Sequence, residues 1–246
     1  MTRHALVTGG GTGIGRAIAL ALAEQGLDVT ICGRRRSVLD AVKHPRIHRL
    51  VTDVTDETSV AALYAQAEGA RGPFDIVIAN AGGTASAPAG KISLDLWNET
   101  LAANLTGAFL AVRPAIEPMV SRERGRIVFI ASAAGLKGYP YVAPYVAAKH
   151  GVVGLMRALA AETAKSGVTV NAVCPGFTET ELLRRSVETI AAKTGRSEAA
   201  ARAALANPQG GFVTPEEVAA AVLWLVSDAA RSVTGQAISI SGGETW

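Results

Sequence analysis

The residues His4-Ala5-Leu6-Val7-Thr8 form a short apolar stretch that runs without a spacer into Gly9-Gly10-Gly11-Thr12-Gly13-Ile14-Gly15. The helical text Arg16-Ala17-Ile18-Ala19-Leu20-Ala21-Leu22-Ala23 follows at once. Strand, glycine turn and helix in that order let backbone N–H groups come close to a diphosphate, and the helix N-terminus supplies the positive end of a dipole to hold it. The stretch predicts a dinucleotide site lined by Gly9, Thr12, Gly13, Ile14 and Gly15.

The chain then alternates. Strands are expected at Asp28–Cys32, Ile47–Val51, Phe74–Ile78, Arg126–Ala131, Val168–Val173 and Ala237–Ile240, with helices at about 55–67, 94–120, 143–165 and 214–227. Such βαβα order predicts a single doubly wound α/β domain over 1–246, with a parallel sheet of about seven strands and ligands at the carboxyl ends of the strands. Asp53, Val54, Asn80, Ala81 and Gly82 fall at such ends, as does Ser132. Asp53 is placed to accept from an adenine amino group. The helix from Leu94 to Val120 should break or bend near Pro114 and Pro118, and Asn104 within it is a polar residue that needs partners. The stretch 181–213 is the least patterned.

After the second strand, an Asp or Glu about 20 residues beyond the glycines would bind the ribose 2′-hydroxyl of NAD. This chain has Gly33-Arg34-Arg35 there instead. A guanidinium suits a 2′-phosphate through charge-assisted hydrogen bonds, so NADP is expected over NAD, with Arg34 and Arg35 as its contacts.

Composition excludes other classes. Apolar residues make up 49% and charged ones 18%, as a sheet covered on both faces needs. No run approaches the ~18 apolar residues of a membrane span, and Met1-Thr2-Arg3-His4 leads into the first strand with no apolar signal segment. A cytoplasmic protein is expected, without a membrane. The net charge of +3 includes no basic run longer than Arg34-Arg35-Arg36, so no nucleic-acid partner is expected. Cys32 and Cys174 sit in strand text and read as buried thiols, and no metal site is expected.

Tyr145 and Lys149 lie four residues apart on the helix expected from 143, hence on one face. A phenol beside an ammonium should be lowered from its usual pKa of about 10, which suits a proton donor to a reacting oxygen. His150 points about 100° away round the helix and is not expected to act.

Together these residues resemble the short-chain dehydrogenase/reductase family over essentially the whole chain. The resemblance rests on Thr8-Gly9, Gly13-Ile14-Gly15, Asp53-Val54, Asn80-Ala81-Gly82, Asn104, Ser132, Tyr145-x-x-x-Lys149 and Pro175-Gly176. Two departures are Ala79, where many members carry a further Asn, and Thr12, where many NADP users carry a base. The resemblance implies that Tyr145 passes a proton to a carbonyl oxygen as hydride arrives at carbon. Lys149 would hold the nicotinamide ribose, Ser132 would polarise the carbonyl, and Asn104 would anchor a water linking Lys149 to solvent. It further implies cofactor contacts at Pro175, Gly176, Thr178 and Thr180, the last orienting the ring carboxamide, and a homotetramer built through the two long helices and the last strand.

Around Tyr145 and Pro175 the text is similar to 3-oxoacyl-thioester reductases, polyketide ketoreductases and 3-hydroxybutyrate dehydrogenases. Hydroxybutyrate dehydrogenases hold a free carboxylate with a His and a Lys where this chain has Ala134 and Val142, which disfavours a small free acid. The resemblance therefore implies reduction of a 3-oxoacyl thioester or similar ketone, a small-molecule partner, with Arg184, Arg185, Lys193, Arg196 and Arg202 as candidates for its phosphates. Oxidation of a secondary alcohol with NAD, and a nucleotide-binding regulator without catalysis, are the competing readings.

Overall fold

The computed structural model describes Arg3 to Thr245; Met1, Thr2 and Trp246 lie outside the described residues, and with them the lead into the first strand. Seven strands form one sheet: β1 (His4–Thr8), β2 (Asp28–Gly33), β3 (Ile47–Val51), β4 (Ile76–Ala79), β5 (Gly125–Ile130), β6 (Val168–Pro175) and β7 (Ala237–Ile240). Every pairing is parallel and the order is β3-β2-β1-β4-β5-β6-β7. The helices are α1 (Gly13–Glu24), α2 (Arg36–Asp40), α3 (Glu57–Arg71), α4 (Leu94–Leu101), α5 (Gly107–Ser121), α6 (Ala143–Thr163), α7 (Glu181–Thr194), α8 (Glu198–Ala203) and α9 (Pro215–Val226). The expected doubly wound fold is present. None of the described helices is long and apolar enough to cross a membrane.

Strand alternation divides the core between the two faces. Leu6, Val77, Ile127, Phe129 and Val170 are buried under α3, α5 and α6, while Ala5, Val7, Ile76, Ile78, Val128 and Val173 are buried under α1 and α9. Both faces are covered, so the strands read as continuous apolar runs. The order in which strands are added reverses between β1 and β4, and ligands bind at the carboxyl ends beside such a switch point.

Two local features differ from expectation. The long helix is not broken at Pro114 or Pro118, both of which lie inside α5. Its irregularity is a π turn at Ala102–Thr106, around Asn104, where the Gly107 N–H reaches back to the Ala102 carbonyl. π turns of this kind are frequent at functional sites. The sixth strand continues past Val173 to Pro175, because Cys174 and Pro175 still pair with Ser239 and Ile240.

Candidate active site

The glycine turn is shaped by what packs against it. Gly9 has φ +65° and Gly13 φ +48°, conformations that side chains rarely adopt. A Cβ on Gly9 would come within 2.9 Å of Asn80 Nδ2, and one on Gly15 would run into the same amide and the Gly9 carbonyl. Asn80 uses that amide on the carbonyls of Thr8 (2.8 Å) and Gly9 (3.4 Å). The Thr8 hydroxyl accepts from the N–H groups of Asn80 (3.0 Å) and Ala81 (2.9 Å). Asn80 and Ala81 therefore brace the turn across the switch point, and Thr8 is the residue that joins them. Thr12 begins α1 without a side-chain cap, which leaves the first N–H groups of the helix, Gly13 to Gly15, without a side-chain acceptor.

Arg34 and Arg35 follow β2 and are exposed. Among the described residues neither makes an ion pair, whereas Arg36 pairs with Asp40 at 3.2 Å. Asp53 Oδ1 accepts from the Thr55 N–H (3.0 Å) and hydroxyl (2.8 Å). These bonds hold its carboxyl below the usual range, with a smaller contribution from Arg34. Its other oxygen makes no such bond among the described residues. Val54 packs on Gly107, where a Cβ would stand 2.8 Å from Val54 Cγ2. The turn residues, Arg34, Asp53 with Val54, and the Asn80–Gly82 stretch follow the carboxyl ends of β1, β2, β3 and β4 in turn.

The residues expected to carry the chemistry stand further along the same edge. Ser132 lies two residues beyond β5, and its Oγ accepts from the Ala134 N–H at 3.1 Å in a short 3₁₀ turn. Tyr145 sits in the first turn of α6 and Lys149 in the next. Lys149 is 4% exposed; its Nζ donates to the Ile130 carbonyl at 2.8 Å and stands 5.6 Å from the Tyr145 ring centroid. Gly135 lets the turn after Ser132 lie against α6, since a Cβ there would be 2.8 Å from the Lys149 carbonyl oxygen.

Burial holds the Tyr145 phenol above its usual value, and a hydrogen bond with Ser132 pulls it the other way. The expected lowering by Lys149 is not found. Its ammonium turns to the end of β5 rather than to the phenol, and burial lowers Lys149 itself to about 8. Cys174, buried nearby and raised to about 11, is a neutral thiol and the cysteines form no bridge. His150 is exposed and bonded to the Val146 carbonyl at 2.9 Å, away from the pair.

Asn104 closes the set. Its Nδ2 donates to the carbonyls of Gly83 (2.8 Å) and Thr100 (2.9 Å), and its Oδ1 accepts from the Gly83 N–H (3.2 Å). A Cβ on Gly82 would strike that Oδ1 and lie 3.9 Å from Lys149 Nζ. Both amide hydrogens are spent on backbone, so the side chain fixes the Gly82–Gly83 loop beside Lys149 and has no donor left to hold a water.

At the far side, the Gly176 N–H donates to the Ile240 carbonyl (2.9 Å) and the Thr178 hydroxyl to the Gly176 carbonyl (3.0 Å). Thr180 caps α7, and its hydroxyl donates to the Thr178 carbonyl at 3.1 Å. Its Cγ2 would be 3.0 Å from a Cβ on Gly13, so α7 begins against the glycine turn. The basic residues of 181–213 are mostly engaged. Arg184 pairs with Glu181 and Glu188, Arg185 with Glu181, and Arg202 with Glu179. Lys193 donates to the Ser86 carbonyl at 3.4 Å, and Arg196 alone of the five makes no such bond among the described residues. These arginines are helix-surface cations already paired with neighbouring carboxylates.

Comparison with known proteins identifies the family of the chain. The short chain dehydrogenase family model matches residues 3–191. A ketoacyl reductase assigned to the granaticin polyketide synthase of Streptomyces violaceoruber is 41% identical, over 97% of this chain and 92% of its own length. The acetoacetyl-CoA reductase of Rhizobium meliloti is 39% identical over 99% of both chains. Among solved structures, a single-residue variant of actinorhodin polyketide ketoreductase with NADPH superposes with a TM-score of 0.95 at 36% identity, covering 99% of this chain and 97% of its own. The chain belongs to the short-chain dehydrogenase family.

Proposed function

We propose that this enzyme reduces a ketone to the alcohol with NADPH, and that its substrate is a 3-oxoacyl thioester or a similar β-dicarbonyl. The observation that carries the reading is the convergence of Ser132, Tyr145 and Lys149 at the ends of β5 and α6, beside a glycine turn ready for a diphosphate. The residues fit the cofactor: the glycine turn, packed on Asn80, presents the α1 N-terminus with no side-chain cap, and Arg34 and Arg35 are exposed cations that make no ion pair among the described residues, where a 2′-phosphate would lie. NADPH supplies the hydride.

The chain's own residues manage the proton and the oxygen. Burial keeps the Tyr145 phenol protonated at neutral pH, the form that donates to a developing alkoxide. Ser132, whose side chain counters the burial shift of that phenol, would donate to the same oxygen and stabilise its charge. Lys149, held by Ile130 with Asn104 and the Gly82 loop against it, is placed to hold a ribose hydroxyl and to return a proton to the phenol.

A nucleotide sensor would need no such donor, and the intact trio argues against one. The segment 181–213 forms one wall of the substrate cleft in this reading. A homotetramer in the cytoplasm belongs to this reading; β7 is a half-buried edge strand with a face left to pack on another copy, and light scattering on purified protein would check the assembly. A panel of ketones, secondary alcohols and 3-oxoacyl-CoA thioesters, assayed with NADPH and NADH in parallel, tests the function. NADPH-dependent reduction of the thioesters supports it, and activity confined to NAD-linked alcohol oxidation would replace it.

A further inference from the structure

A second polar cluster stands at the same sheet edge, on the loop between Ser132 and Tyr145. The Tyr139 phenol donates to Glu244 Oε1 at 2.5 Å. Lys137 Nζ donates to the Glu244 carbonyl oxygen at 3.2 Å, lies 3.4 Å from Glu244 Oε1, and sits 5.0 Å from the Tyr139 ring centroid. The Glu244 side chain is 13% exposed. Its Oε2 is buried with no hydrogen-bond partner among the described residues, fitted against Gly176 where a Cβ would come within 2.9 Å. Burying an unsatisfied carboxylate oxygen is unfavourable, so the contacts made by its other oxygen must hold it in place.

What they hold is an aromatic ring. Tyr139 stands edge-on to Phe177, with ring centroids 6.0 Å apart and planes at 89°. Tyr139 is carried by the loop that joins Ser132 to Tyr145, and Phe177 follows the end of β6, the strand next to the one that delivers Ser132. Three segments distant in sequence, the loop after β5, the turn after β6 and the tail after β7, therefore meet to fix one ring beside the catalytic phenol.

We propose that Tyr139 determines specificity: clamped by Glu244 and set against Phe177, it forms an aromatic wall beside Tyr145 that selects ketones bearing a flat ring at the carbonyl carbon over those bearing a puckered one. A fixed pair of rings receives a flat group in offset or edge-to-face contact. A puckered group of the same size meets the wall with fewer contacts, and a loose Tyr139 would not discriminate. The inference rests on the ketone-reducing function proposed above and narrows its substrate.

The test uses two 3-oxoacyl thioesters that differ only in the ketone substituent, phenyl against cyclohexyl, reduced with NADPH. Intrinsic reactivity cancels when the phenyl-to-cyclohexyl ratio of kcat/KM is compared between variants. Tyr139→Leu should lower that ratio at least tenfold and Glu244→Ala at least threefold. Glu244→Gln, whose amide oxygen still accepts from the phenol, should restore it. Thermal melting and NADPH titration report the folded state of each variant. If the wild type reduces neither thioester, the proposed function and this inference fall together. If both are reduced and the ratio is the same in Tyr139→Leu, or in Glu244→Ala where the former does not fold, this inference alone falls.

Discussion

The Lys149 ammonium donates to the Ile130 carbonyl at 2.8 Å, so a helix residue is held by the end of the strand that delivers Ser132 two residues later. That bond ties Lys149, the residue of α6 proposed to handle the proton, to the strand end before Ser132, the residue proposed to polarise the carbonyl. It also places a charge in a buried site. The following expectations come from that arrangement.

The first concerns Lys149 itself, whose pKa falls from 10.5 to about 8 through burial. Below pH 8 the folded protein carries the full cost of a buried ammonium. Between 8 and 10.5 the folded Lys149 loses its proton while the unfolded lysine keeps one, so stability rises with pH across that window. Lys149→Met should abolish turnover yet raise stability at pH 7 by about 1–3 kcal/mol, with a gain that shrinks as pH approaches 10.5. Melting curves of both proteins from pH 7 to 10.5 check this; a difference independent of pH would count against it. Ketone reduction in the wild type should decline above pH 8 as the ammonium is lost.

Arg34 should set cofactor choice. Losing a charge-assisted contact with a 2′-phosphate costs about 2–3 kcal/mol, or roughly 30- to 150-fold. Arg34→Asp should raise KM for NADPH by that order and shift preference to NADH, which parallel kinetics would show. An unchanged preference would move the phosphate site to Arg35 or elsewhere.

Gly82 has no room for a side chain. A Cβ there meets Asn104 Oδ1, which holds the Gly83 backbone next to Lys149. Gly82→Ala should therefore cost about 1–3 kcal/mol and lower Tm by about 2–4 °C per kcal/mol, with a fall in kcat larger than stability alone explains. Calorimetry beside steady-state kinetics separates the two, and a variant with normal Tm and kcat would show that the loop tolerates movement.

Much of this was legible in the sequence because the signals are local. A strand, a glycine turn and a helix in succession demand a parallel α/β unit, and strand ends mark where ligands lie, so Gly9, Asp53, Asn80 and Ser132 could be placed in advance. The Tyr145–Lys149 spacing fixed a shared helix face. It did not reveal that the ammonium would turn to Ile130, because that acceptor is a backbone carbonyl 19 residues away that no side-chain pattern records. In the long helix from Leu94 the prolines point to a bend at Pro114 and Pro118, but the irregularity is the π turn around Asn104, whose side chain bonds to the Gly83 backbone 21 residues away. Thr8 carries a signal, a hydroxyl at the end of a buried strand, that could have marked it as the brace of the turn. Glu244 carries none, since its partners Lys137, Tyr139 and Gly176 come together only in three dimensions.

The central claim is that the Tyr145 phenol gives its proton to a ketone oxygen while NADPH is held elsewhere. General acid catalysis contributes about 10²- to 10⁴-fold. The most direct test is NADPH oxidation by a 3-oxoacyl-CoA thioester, measured for wild type and Tyr145→Phe with NADPH affinity titrated in both. The account predicts a loss of turnover of at least about a hundredfold, with NADPH affinity little changed. Turnover retained in Tyr145→Phe would contradict it.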